Sequence, residues 1–235
     1  MVDAPKVEVD AELNASGALV ISCFPSIGFV SSIVAHYLVD KLELEFVGGV
    51  RHPKLPPVCL VQDGKPLPPM RFYSGEPVCN MERCDKVILI ASEIQVMPEL
   101  NLPLADTLLD WCAAGGVGAT MLIDSYAQGI GEQHSIFDDD QTNETILGIG
   151  STDESHKTLE GLGIPLLKQG VVGGITGVMM GESRRRGKGR CQDQGRRQGQ
   201  GRVEIGTHIH TYTYTYAYAY AYACAHTYTY TYTYT

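Results

Sequence analysis

From Thr207 to Thr235 the chain repeats with a period of two. Every even position from 212 to 234 is Tyr except Cys224 and His226, and every odd position is Thr or Ala. One six-base unit, a Thr codon followed by a Tyr codon, generates this pattern. A single transition turns the Thr codon into Ala or Ile and the Tyr codon into His or Cys, which covers every exception, including His208, Ile209 and His210. The repeat reads as translated microsatellite DNA. As a strand it would set Tyr212 to Tyr222 on one face and only Thr or Ala on the other, uncharged and free of proline, which is an aggregation signature. A folded domain must therefore come from the residues before it.

The preceding stretch narrows that domain further. Ser183 to Gly201 is dominated by Arg, Gly and Gln, with clusters at Arg184–Arg186 and Arg196–Arg197, and has almost no apolar residue to bury. Clustered arginines would suit a nucleic-acid backbone, but a frame error or a retained intron leading into the repeat accounts for both segments. The expected division is a flexible N-terminus over 1–14, an α/β domain over 15–182, a disordered Arg/Gly/Gln-rich segment over 183–206, and a low-complexity repeat over 207–235 that is an artefact of the gene model.

Charge follows the same division. Residues 183–235 carry net +6, whereas residues 1–182 hold ten basic and twenty-five acidic side chains, net −15. No Lys or Arg occurs between Val87 and His156. A surface this acidic repels nucleic acid and anionic membrane. The N-terminus lacks the basic-then-apolar order of a signal peptide, and no apolar run approaches the length of a spanning helix. Cys23, Cys59, Cys79, Cys84 and Cys112 are scattered and odd in number, as expected of reduced cytosolic thiols. The expected location is cytoplasmic.

Within 15–182 apolar runs of strand length alternate with segments of helical period. Gly17–Phe24 reads as a buried strand stopped by Pro25, and Phe29, Val30, Ile33, Val34, Tyr37, Leu38 and Leu42 as the stripe of a helix. Leu44–Val50 is a second strand. Val58–Gln62 and Leu67–Tyr73 flank Asp63-Gly64-Lys65 as a hairpin. Lys86–Ala91 is another buried strand, followed by a helix with Leu100, Leu104, Leu108, Trp111 and Cys112 on one stripe and Pro103 in its first turn. Gly118–Asp124 is a strand and Ser125–Asn143 a polar loop. A short strand at Leu147–Gly150 runs into a capping box at Ser151–Glu154 that opens a helix through Leu162, and Ile164–Leu167 is extended. Such alternation predicts a three-layer α/β domain, with a mainly parallel sheet and an antiparallel hairpin.

Catalytic and metal motifs are sparse. Pro25-Ser26-Ile27-Gly28 could offer backbone N–H groups to an anion at a helix start, but it lacks a GxGxxG or a P-loop Lys-Ser/Thr pair. Gly170–Gly177 could permit close backbone approach. Ser26 would need a base from His36, His52, His134 or His156, and no GxSxG elbow is present. Glu93 and Glu99 lie past the carboxyl end of a strand, where α/β sheets bind ligands. Cys79 and Cys84 form at most half of a zinc site, and His134 with Asp138–Asp140 reads as a solvated loop. No metal or cofactor is expected.

Taken in order, Ala18–Gly28, Arg51-His52 running into Pro56-Pro57, the strand Val87–Ala91, the turn Gly150-Ser151-Thr152-Asp153 and the segment Gly173-Gly174-Ile175-Thr176-Gly177 resemble the proteasome-assembly-chaperone family, with archaeal and eukaryotic members. The resemblance covers about 15–182 and is nearer the archaeal type. It marks Pro25, Gly28, Pro56, Pro57, Gly150, Gly173, Gly174, Thr176 and Gly177 as motif positions. It implies a nucleoside-phosphorylase-like fold that does no chemistry and escorts proteasome α-subunits into a ring, as a homo-oligomer or a heterodimer with a paralogue. Members end in hydrophobic–Tyr–any; here Thr233-Tyr234-Thr235 belongs to the repeat and is given no such role. The contrasting expectation is a phosphorylase or hydrolase of nucleosides on the same architecture, with the glycine turns holding phosphate, Glu93 as acid and Lys168 as the one nearby base of charge.

Overall fold

The computed structural model describes residues 3–77, 86–125, 146–193 and 204–210. Its elements run β1 (Lys6–Val9), β2 (Leu19–Cys23), α1 (Val30–Lys41), β3 (Glu45–Arg51), β4 (Leu60–Gln62), β5 (Lys65–Leu67), β6 (Arg71–Gly75) and β7 (Val87–Ala91). They continue with α2 (Pro98–Ala114), β8 (Ala119–Ser125), β9 (Ile146–Gly150), α3 (Asp153–Gly161), α4 (Gly174–Asp193) and β10 (Glu204–His210). The main sheet has eight strands in the order β1-β3-β6-β7-β2-β8-β10-β9, and β4 and β5 pair separately.

The parallel part is the centre: β2 pairs parallel with β7 and β8, and β8 with β10. β6, β3 and β1 extend one side antiparallel, and β9 closes the other. Every residue of β2 and β7 is buried, which is why both read as unbroken apolar runs rather than alternating ones. Odd positions of β2 (Leu19, Ile21, Cys23) pack with Val34, Ala35 and Leu38 of α1. Val20 of β2 and Ile88 and Ile90 of β7 face the other way, toward Leu100, Leu104 and Leu108 of α2 and Met179 of α4. On β9, Ile149 packs with this second cluster, while a Cβ on Gly148 would meet Leu159 of α3 at 2.7 Å. α3 thus shares the side of α1, and the three-layer α/β architecture is complete.

Several boundaries differ from the sequence reading. Residues 6–9, expected to be flexible, form the edge strand β1. It is held in place by its ladder with β3 and by Thr107, whose hydroxyl donates to the Pro5 carbonyl at 3.3 Å. The hairpin turns at Asp63-Gly64, both with positive φ, but its second strand stops at Leu67 before Pro68-Pro69. Arg71–Tyr73 belong instead to β6 of the main sheet. α2 starts at Pro98, so Pro103 lies inside it; the fully buried Leu100, Leu104 and Leu108 hold the helix across that missing N–H. The cap of α3 is Thr152, not Ser151: its hydroxyl accepts from Ser155 N–H, and the Ser155 hydroxyl accepts from Thr152 N–H.

The division at 182/183 is not a structural one. α4 continues to Asp193, with Arg184 donating to the Ser151 carbonyl at 2.9 Å and Arg186 reaching Asp106 and Asp110 of α2, each at 2.6 Å. Arg186 neutralises acids of α2, and Arg184 is tied to the turn before α3. β10 spans the expected boundary at 206/207 and fills the slot between β8 and β9. Residues 211–235 of the repeat, Cys79, Cys84, His134 and Asp138–Asp140 lie outside the described residues. Among the described residues no helix is long and apolar enough to cross a membrane.

Candidate functional site

The parallel strands β2, β7 and β8 end side by side at Cys23, Ala91 and Ser125, the edge where open α/β sheets place ligands. Arg71 enters this edge from the antiparallel β6, opposite Ala91. Its side chain is almost wholly buried and needs compensation. Nη2 donates to Glu93 Oε1 at 2.5 Å, and Nε donates to the Tyr73 hydroxyl at 2.9 Å, which donates in turn to Gln62 Oε1 of the hairpin at 2.9 Å. Burial opposes the guanidinium charge, but Glu93 and Tyr73 more than offset this and hold Arg71 above its usual value. His36 of α1 places Nε2 3.1 Å from the same Glu93 oxygen. Glu93 is therefore engaged from two sides rather than standing free as an acid.

The turn after β2 is fixed from within. Pro25 ends the strand, the Ser31 hydroxyl donates to the Phe24 carbonyl, and the Ser26 hydroxyl accepts from Ser31 N–H at 3.1 Å and donates its own proton to Ser31 Oγ at 2.8 Å. Gly28 has φ +68° and Phe29 φ +58°. Phe29 in the left-handed region costs roughly 1 kcal/mol or more. The conformation carries Ile27 and Phe29 outward, at 52% and 68% exposure, with Ile33 one helical turn further at 43%.

Across β2 the Ser125 hydroxyl donates to the Ile27 carbonyl at 2.5 Å. Asp124 is hydrogen-bonded to Thr176 at the start of α4 and to the Ser125 backbone. Burial raises its pKa, and these hydrogen bonds only partly oppose the shift. An anion at the glycine segment would therefore meet a carboxylate of the chain itself, held there by Thr176. Gly177 is structural, since a Cβ there would sit 2.1 Å from the Val172 carbonyl oxygen, whereas Gly173 faces open space.

Of the motif positions, Pro25, Gly28, Gly173, Gly174, Thr176 and Gly177 come to this one edge. Pro56 and Pro57 do not: with Glu8, Phe46, Arg51 and His52 they line an open groove of about 560 Å³ beside β3, which β6, β7 and β2 separate from β8. Gly150 lies level with Met121, away from the carboxyl edge. A Cβ there would strike His156 at 2.2 Å.

Catalytic pairings expected for hydrolysis are not assembled among the described residues. The His52 ring is tied to backbone, Nδ1 accepting from Lys54 N–H and Nε2 donating to the Asp3 carbonyl. His156 donates to the Gly150 carbonyl, and Ser26 serves its own turn. Burial, then Asp124 and Glu93, push the Cys23 thiol up, and burial pushes Cys112 to about 12, so neither is a thiolate near neutral pH. No group of three metal-ligating side chains occurs among the described residues.

Arg71 escaped the sequence reading. Its signal is a single charge at the head of the run Arg-Phe-Tyr, in a domain poor in basic residues. A buried strand that carries a charge demands an acid nearby, and Glu93 just after the next strand supplies it.

The fold has known counterparts. The model of the PAC2 family matches residues 20–189. The chain belongs to the PAC2 family. An uncharacterized protein of Methanocaldococcus jannaschii is 23% identical over 180 residues, 77% of this chain and 66% of that protein. This chain therefore spans just under two thirds of that relative's length. The PAC2 fold is shared with Pyrococcus furiosus PbaA, an archaeal homolog of proteasome-assembly chaperone, at TM-score 0.69 and 22% identity over 88% of this chain and 72% of PbaA. P. furiosus PbaB, an archaeal proteasome activator, superposes at TM-score 0.65 and 16% identity, covering 95% of this chain and 88% of PbaB.

Proposed function

We propose that this chain is a non-enzymatic chaperone that assists assembly of the 20S proteasome α-subunit ring, acting in the cytoplasm as a homo-oligomer or with a paralogue. Membership of the PAC2 family and the likeness to PbaA, a homolog of proteasome-assembly chaperone, and PbaB, a proteasome activator, support a proteasome-related role. The carrying observation is chemical. At the edge where this fold would hold a small ligand, the chain presents exposed Ile27 and Phe29 on a strained turn and exposed Ile33 on α1. Exposed apolar side chains at an open sheet edge fit a protein surface with apolar pockets.

The nucleoside or phospho-ligand enzyme is disfavoured by the same groups. A phosphate at either glycine turn would meet Asp124 or Glu93, and Arg71 at that edge is buried and already paired. The test is capture of α-subunits by the full chain, compared with Phe29→Asp. Capture by the wild type and its loss in the variant, with an unchanged melting temperature, are expected. Phosphorolysis of a nucleoside panel, abolished by Glu93→Ala, would sink the reading.

A further inference from the structure

The two edges of the main sheet are treated differently. Beyond β9, Gly148 N–H donates to the Pro165 carbonyl at 2.8 Å and the Gly148 carbonyl accepts from Leu167 N–H at 2.9 Å, so residues 165–167 close that edge. Beyond β1, no described strand pairs. Asp10 N–H donates to the Val47 carbonyl at 2.8 Å. The alternation of an antiparallel ladder then turns the backbone groups of Lys6 and Glu8 toward β3 and those of Val7 and Val9 outward.

The charges on β1 are not merely protective. Lys6 stands directly opposite Arg51, a like-charge pair that costs stability in an isolated protomer. Glu8 lies diagonally from Arg51 at 3.9 Å, with both side chains largely exposed, so an acid beside Lys6 is still wanting.

We propose that β1 pairs antiparallel with β1 of a second copy, about a twofold axis at Val7. In that register each Lys6 falls opposite the Glu8 of the other copy, twice over, and the two Val7 residues exchange their backbone hydrogen bonds. Each sheet row then reads Arg51, Lys6, Glu8 of the second copy. Other registers that keep the outward groups paired are worse. An axis at Lys6 sets two lysines together, one at Glu8 sets two glutamates together, and one at Val9 sets Glu8 against Asp10. Charge therefore selects Val7. The two sheets become continuous, with the grooves lined by Glu8, Arg51, Pro56 and Pro57 side by side on one face.

This interface rests on the self-association in the reading above and not on the proteasome. Oxidation of full-length Val7→Cys should give a covalent dimer above the wild-type background from native cysteines. The paired Cα atoms would lie about 5.5 Å apart, within disulfide range. Val9→Cys, which falls opposite Pro5, should stay at background. Lys6→Glu should weaken association about tenfold or more in sedimentation, and Lys6→Glu with Glu8→Lys should restore it. Equal cross-linking at positions 7 and 9, an exchange that fails to restore association, or a wild type that sediments as a monomer each overturns the proposal. None of these outcomes bears on α-subunit capture.

Discussion

Either side of β2 and β7 the sheet is completed from different material. On the side of β6, β3 and β1, all three strands lie within the first 75 residues, and the buried charge Arg71 is matched by Glu93. On the side of β8, β10 and β9, the strand that joins the other two arrives from Glu204–His210, and the buried carboxylate Asp124 is held by hydrogen bonds rather than by a cation. The first wing is local and charge-balanced. The second depends on a long-range strand and keeps an imperfectly compensated group next to the site.

Removing residues 194–235 should break the second wing most severely. It strips β8 and β9 of ladder hydrogen bonds along the seven residues of β10. At about 1 kcal/mol each net, the loss is on the order of 5 kcal/mol, comparable to a domain's whole stability. Chemical denaturation of the truncated chain checks this. An unchanged midpoint would show that β10 is dispensable and that the two wings do not differ in this way. Sequencing the messenger RNA tests the tail itself, which the codon pattern assigns to microsatellite DNA. Tail peptides recovered from native tissue would contradict that assignment.

In the first wing, Arg71→Met leaves Glu93 and the Tyr73 hydroxyl without their cation, at a cost of roughly 3 kcal/mol. Arg71→Met with Glu93→Leu should recover much of the loss. If the double variant is no more stable than the single one, the pair is not the balanced unit described. A smaller effect separates two glycines at the site. Gly177→Ala should cost about 2 kcal/mol through its clash with the Val172 carbonyl, and Gly173→Ala almost nothing, both read from thermal melts.

The smallest effect is electrostatic. Asp124 has its pKa raised above 3.8 in the folded chain, so the native state binds the proton more readily than the unfolded one. Its contribution favours folding below 3.8 and is lost as pH rises through the folded value. Asp124→Asn keeps an acceptor for Thr176 and should raise the melting temperature at pH 7 by about 2 °C, with the gain shrinking in acid. A lowered melting temperature at pH 7 would mean that the charge is compensated after all.

The centre of the fold was legible because β2 and β7 are buried on both faces, so no polar residue interrupts their pattern except Ser22. The Asp63-Gly64 turn was legible from its own chemistry. β1 was not, since Lys-Val-Glu-Val at an edge looks like any polar terminus until β3 is there to pair with it. β10 was hidden for a related reason. Glu-Ile-Gly-Thr-His-Ile-His lacks the apolar run of a central strand, and its place is set by the vacancy between β8 and β9. At the site, the glycines and Glu93 were visible as types. Their assignment to closed turns and an ion pair required Arg71, Ser31 and Asp124, which lie outside those glycine segments.

The position of β10 also governs the order of events during synthesis. Of the described strands it is the last to leave the ribosome, yet it lies between two made earlier. Until it emerges, β8 and β9 have no common neighbour, and β8 shows an unpaired flank to solvent while translation runs on for some eighty residues at about 5–20 residues per second. For those seconds the nascent chain resembles an open strand acceptor, the kind of surface that holding factors recognise.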